Sequence, residues 1–272
     1  MPLTSILAAL GMLLVGNTKY YAARIFFIMA GSIIPVLTTL LAFTITGKKK
    51  TAVLAGILSS INGYYFAYIT NTDTFSTQML LGSLFLITVL HQRGKKWNFY
   101  RGLLSGFLHL NRADGILWLI PAIMLLLNQS NRKKLLTKDR LFLIKRGLLI
   151  GLGYTIPMGG WYLRNIILFK TLFPPGNSRA FFITNYNQLF SYPPTILTFS
   201  NWIRSGINAI LSSRLHALGT NLLTFIAVQG LIVLFPLIIM GFWKLRKKIH
   251  VQTGIGVWAT IIVFMTFMFP FA

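Results

Sequence analysis

Acidic residues are the scarcest chemistry in this sequence: Asp73, Asp114 and Asp139 stand against 26 Lys and Arg. Asp114 follows Arg112 by two positions in HLNRADGILWLIP, His109 to Pro121, within a strongly apolar region. A carboxylate can take up a proton or hold a hard cation, and a guanidinium offers a planar fork of N–H groups to an oxyanion. An ionised side chain at membrane depth costs about 2.5–3.5 kcal/mol on insertion scales, so it faces a cavity or a partner. Two compatible readings stay open. In one, Asp114 caps the helix that follows and Arg112 neutralises it. In the other, Arg112 faces an anionic lipid ligand while Asp114 fixes the turn.

Asp73 lies in YITNTDTFSTQ beside Asn71, Thr72 and Thr74. Hard oxygen donors of this kind suit a divalent metal such as Mg or Mn, and the same residues make a plain N-cap for the helix after them. A third group lies in the long stretch Gly160–Pro194, with Arg164, Arg179 and Tyr186 among Asn165, Asn185, Asn187 and Gln188. Its amides and hydroxyls can hydrogen-bond a sugar, or it is a capping loop with an aromatic belt and a snorkelling arginine. Asp139, in a basic loop, reads as a solvated charge. The histidines, 91, 109, 216 and 250, show no ligand spacing; His109, nearest the Arg112 turn, reads as a packing residue. No Walker loop, GxSxG, HExxH or Rossmann fingerprint is present, which leaves nucleotide-driven pumping without support.

The elements that position these residues follow from composition. Hydrophobic residues make up 55% and charged residues 11% of the 272, where a soluble domain carries about a quarter charged. Recurrent apolar runs with Gly and Pro throughout predict an all-α, polytopic membrane protein rather than a barrel. The spacing predicts about eight transmembrane helices plus short interfacial ones, at 23–46, 51–70, 76–91, 99–110, 114–128, 147–169, 220–242 and 252–270. The apolar run 3–16 is short for a crossing and is expected to lie along or dip into the outer leaflet. The whole chain reads as a single membrane domain, 1–272, with an outer-face loop at 170–206.

Basic blocks at 48–50, 93–101, 132–146 and 244–248 hold 18 of the 26 cations and fall on one side in this scheme. The positive-inside rule makes that side cytoplasmic. The net charge of +23 therefore marks loops of a multi-pass protein of the inner (plasma) membrane, and no nucleic-acid partner is expected. Asp73 and Asp114 both fall on the opposite, outer side. With no cysteine, disulfides and thiolate metal sites are excluded.

The segments YYAARIFFIMAGSIIPVL, NTDTF, GLLSGFLHLNRADGILWLIPAIMLLL and WYLRNIILFKTLFPPGNSRAFFITNYNQLFSY together resemble GT-C membrane glycosyltransferases. The family 39-like group, with protein O-mannosyltransferases and aminoarabinose transferases, is the nearest in pattern. The resemblance implies a transferase that takes a sugar from a polyprenyl-phosphate donor to a lipid, glycan or protein acceptor on the outer face of the membrane. It implies that basic residues hold the departing lipid phosphate, with Arg112, Arg164 and Arg179 as candidates and Asp114 and Tyr186 beside them in substrate binding. Asp73 matches an outer acidic position near the acceptor or a metal.

The family's catalytic Asp or Asp-Glu pair lies in a first outer loop, whereas no acid precedes Asp73 here. The expectation is a fragment of a longer or split protein whose base comes from a separately encoded N-terminal segment, so that this chain alone is inactive. The competing classes are a transporter or flippase for a lipid-linked or anionic solute, which paired internal repeats of broken helices would favour, and a non-catalytic membrane subunit.

Overall fold

The computed structural model describes residues 2–61, 68–90, 94–128, 137–174, 177–191, 194–229, 232 and 234–268. Among these there is no β-strand, in agreement with the all-α expectation. The helices are α1 (Leu3–Val15), α2 (Tyr20–Ala23), α3 (Ile25–Thr46), α4 (Lys49–Ile61), α5 (Thr74–Val89), α6 (Lys95–Asn111), α7 (Leu119–Leu127) and α8 (Thr137–Phe169). They continue with α9 (Gln188–Ser191), α10 (Phe199–Arg204), α11 (Ile207–Thr224), α12 (Phe235–Leu245) and α13 (Ile249–Met268). Among the described residues, the 3₁₀ turns Ala113–Trp118, Asn177–Phe182 and Pro194–Ile196 and a π-helical turn, Phe225–Gln229, lie between them.

Among the described residues, three helices are long and apolar enough to cross a bilayer: Ile25–Thr46, Leu141–Phe169 and Ile249–Met268. The other expected crossings are shorter. The 16 residues of α5 rise only about 24 Å, against a hydrocarbon core of about 30 Å. The expected helix 220–242 is corrected: α11 ends at Thr224, a π turn follows, and a new helix starts at Phe235. Pro236 explains the restart, because a residue without an N–H is tolerated in a first turn and disrupts a helix interior. The expected basic loop 132–146 is also corrected from Thr137 onward, where α8 has begun and carries position 139 in its first turn. Part of the expected helix 51–70 (62–67) and part of that loop (132–136) lie outside the described residues.

The chain divides into two compact units, Met1–Trp161 with Arg246–Val257, and Tyr162–Leu245 with Trp258–Ala272. In the first unit, α3 buries Phe27, Ala30, Ile34 and Leu37 at helical spacing and exposes Met29, Ile33, Val36, Leu40 and Phe43 on the opposite face. An apolar face turned outward suits lipid. The polar side chains of α3 remain compatible with lipid because Ser32, Thr38, Thr39, Thr44 and Thr46 each donate to the carbonyl four residues back.

The sharpest sequence-to-packing link is the GLLSG segment of α6. A Cβ on Gly102 would lie 2.0 Å from the Ile150 carbonyl oxygen, and one on Gly106 would lie 2.6 Å from that of Tyr154. Small residues four apart thus let the α6 and α8 backbones touch, as membrane helices do without a hydrophobic driving force between them. This contact fixes the height of α6, whose far end carries the NRADG turn.

Candidate functional site

The antiparallel neighbours α5 and α6 are tied at both ends. At one end Arg101, fully buried, donates to Asn98 Oδ1 at 3.0 Å and to the Thr88 carbonyl at 2.9 Å. That carbonyl belongs to the last turn of α5, where the helix dipole favours a cation. At the other end Asn111, also fully buried, accepts from the Thr77 hydroxyl at 2.7 Å. Its amide donates to the Thr74 carbonyl at 3.0 Å and to Gln78 Oε1 at 2.8 Å. Asn111 therefore pins the end of α6 to the first turn of α5, whose N-cap is Asp73. NTDTF and NRADG, 38 residues apart between Asp73 and Asn111, meet at one end of the first unit.

Asp73 accepts from the Thr74 N–H through Oδ1, with extended backbone at φ −120°, ψ 172°. This is the plain capping role, with its second carboxylate oxygen left over. Preceding it, Thr70 takes two bonds from Arg24, Nε to its carbonyl at 2.8 Å and Nη2 to its hydroxyl at 2.6 Å. Arg24, at the α2–α3 junction, is a further cation of this end that the sequence reading did not single out. Its signal was available: it is the sole charged residue between Lys19 and Lys48.

Arg112 is a single extended residue, φ −142°, ψ 146°, between α6 and the 3₁₀ turn. Its Nε meets Asp114 Oδ1 at 2.9 Å and its Nη2 meets Oδ2 at 3.2 Å, a two-pronged pairing. It is the one ion pair among the described residues, with the Asp114 side chain 10% exposed and that of Arg112 32%. Asp114 thus stands in the first turn as a partner of Arg112 and does not cap the turn, which corrects the capping expectation.

Gly115 explains why the turn can sit so tightly, because a Cβ there would fall 2.1 Å from the Leu108 carbonyl oxygen. Trp118 closes the turn against α5, edge-on to Phe85 at 5.1 Å. One edge of the guanidinium is held by Asp114, and Nη1 makes no hydrogen bond to a described residue. The half-exposed guanidinium is therefore oriented and still has N–H groups to offer an oxyanion. His109, two residues before Asn111, stacks on Tyr154 and bonds its hydroxyl through Nδ1, as a packing histidine does.

The other expected site residues belong to the second unit. Arg164, exposed on the last turns of α8, donates to Asn165 Oδ1 at 3.2 Å and lies 5.7 Å over the Phe169 ring. Asn165 is fully buried and donates to the Leu172 carbonyl, closing the chain as it leaves α8. Arg179 is on the 3₁₀ turn Asn177–Phe182. Tyr186 packs edge-on to Phe190 at 5.4 Å. Around it, Gln188 Oε1 accepts from the Thr184 N–H and Asn187 N–H donates to Asn185 Oδ1, so these amides hold the loop's own backbone.

A sequence model of the dolichyl-phosphate-mannose-protein mannosyltransferase family matches residues 1–161. The chain belongs to that family. The family match ends at Trp161, where the long segment of the first unit ends, and takes in Arg24, Asp73 and the whole NRADG turn. The chain is thus a GT-C-like membrane protein whose matched region carries the Arg112–Asp114 pair. No curated protein and no solved structure matches it.

Proposed function

We propose that this chain is a membrane glycosyltransferase moving a sugar from a polyprenyl-phosphate donor to a lipid, glycan or protein acceptor. It does so on the outer face of the inner (plasma) membrane, with the shorter helices completing about eight crossings. The observation that carries the proposal is the orientation of Arg112 by Asp114 at the end where Asn111 joins NRADG to the Asp73 cap.

In such a transfer an acceptor hydroxyl attacks the anomeric carbon, the bond from that carbon to the phosphate oxygen breaks, and polyprenyl phosphate leaves as an anion. Charge then grows on the phosphate oxygens, where a preorganised guanidinium stabilises it. Arg112 is placed in that role, and Asp114 holds its plane. Arg164, Arg179 and Tyr186 are proposed as substrate-binding residues of the second unit. The proton of the attacking hydroxyl passes to a carboxylate base; no acid precedes Asp73 in this sequence, and we assign the base to a separately encoded N-terminal segment, as the resemblance implies.

Among the described residues no cluster of three His, Cys, Asp or Glu could hold a metal. Asp73 therefore fits a divalent cation only as one ligand beside donor phosphate oxygens and water. Such a cation would supply further positive charge against the phosphate.

The test is transfer itself. Membranes containing the chain receive a radiolabelled polyprenyl-phosphate sugar, and label reaching lipid, glycan or protein is counted together with released polyprenyl phosphate. With the base-bearing segment that the resemblance implies co-expressed, the proposal expects turnover above control membranes, lost in the doubly neutral Arg112→Gln/Asp114→Asn variant. Turnover equal in variant and parent would overturn the role of the pair.

A further inference from the structure

No Asp or Glu follows Asp139 in the sequence, so the second unit contains Arg164, Lys170, Arg179, Arg204, Arg214 and Lys244 and no acidic side chain. Five of these cations sit on exposed or half-exposed positions and need no partner. Arg214 is different. It is 8% exposed, on the face of α11 that also buries Ala217. Its Nη2 donates to the Phe181 carbonyl at 3.1 Å, while its Nη1, buried as well, meets no acceptor among the described residues.

A second orphan donor belongs to a side chain that packs on the same 3₁₀ turn. Phe182, the next residue of the same 3₁₀ turn, packs against Trp202 at 6.3 Å. The indole N–H of Trp202 is buried without an acceptor. Adjacent residues of one turn thus contact two side chains that each carry a buried, unmet donor, one of them on a full positive charge.

A buried neutral donor can be met by water, whereas a buried charge without a counter-charge is far more costly. The missing negative charge must come from outside the second unit's side chains. A guanidinium and an indole N–H both donate and neither accepts, so the ligand must present several acceptor oxygens. Exposed Phe181 and Phe199 border the cluster, which suits an anion at an apolar–polar boundary. We infer that Arg214 and Trp202 form a binding site for a phosphate oxyanion, carried on a lipid headgroup or free. The inference rests on residues of the second unit alone and does not depend on the transferase reading.

The experiment uses the full chain purified in a neutral detergent, titrated with inorganic phosphate and, separately, with phosphatidic acid in mixed micelles. Tryptophan emission and the unfolding temperature are followed. At least one probe should bind saturably and raise the unfolding temperature. Arg214→Gln should weaken that binding at least about tenfold, as loss of a charged hydrogen-bonding partner does. Trp202→Phe, which keeps the ring packing, should weaken it several-fold and remove the emission change, and it serves if Arg214→Gln does not fold. Binding of phosphatidic acid alone assigns the lipid source; equal binding of both assigns the bare oxyanion. Neither readout involves sugar transfer, so a failure here and a failure of the transferase reading are separate results. No saturable binding of either probe, or unchanged affinity in the foldable variants, would overturn the inference.

Discussion

Asn111→Ala removes the side chain that joins the two halves of the candidate site. Three hydrogen bonds go with it, to Thr77, Thr74 and Gln78, at 2.7, 3.0 and 2.8 Å. At the mean of about 0.6 kcal/mol per interhelical bond measured in a membrane protein, the loss is about 2 kcal/mol. At about 1 kcal/mol per bond, the value typical of soluble proteins, it is about 3 kcal/mol. The position is fully buried, so water cannot replace the lost partners without opening the α5–α6 contact. Unfolding in mixed micelles with rising SDS, followed by tryptophan emission, measures the difference. Thr77→Val removes one of the three bonds, and the double variant should show a coupling of about 0.6 kcal/mol. A loss below about 0.5 kcal/mol for Asn111→Ala, or no coupling to Thr77, would refute the claim that this amide holds the NRADG turn on α5.

Arg112→Ala leaves a nearly buried carboxylate unpaired and should cost about 3 kcal/mol, whereas Arg112→Gln/Asp114→Asn should cost under about 1 kcal/mol and lose donor binding; micelle unfolding and a donor-binding assay separate the two effects. Asp73→Asn preserves a capping oxygen and should cost only a few tenths of a kcal/mol, against about 1 kcal/mol for Asp73→Ala. If Asp73→Asn nonetheless abolishes transfer at unchanged stability, the carboxylate serves the reaction beyond its cap. Gly106→Leu drives a side chain into Tyr154 and Pro157 and should cost about 3 kcal/mol or prevent accumulation of folded protein, read as recovery of monodisperse material.

The helical class, the membrane setting and the polar turn at NRADG were legible because each rests on local pattern: apolar runs, basic blocks, and charges where lipid disfavours them. The pairing of Arg112 with Asp114 was legible from their two-residue spacing. What escaped was set by non-local contact. Asn111 looked like part of a polar turn, and its importance comes from Thr74, Thr77 and Gln78, more than 30 residues earlier. Arg24 depends in the same way on Thr70. The GLLSG contact was visible as two glycines four apart, yet the same mark in α8, Gly147 and Gly151, misses the contact, and it is Gly153 that meets α6. The expected helix 220–242 failed because apolar content cannot locate a π turn, whereas Pro236 offered a restart signal.

The most direct test of the account is to map where the donor lies. A photoactivatable polyprenyl-phosphate sugar is crosslinked to the chain in membranes, and the labelled peptides are identified by mass spectrometry. The account predicts label on peptides containing Arg24, residues 68–73 and residues 109–118, suppressed by excess unlabelled donor. Label absent from all three, or undiminished by the competitor, would contradict it.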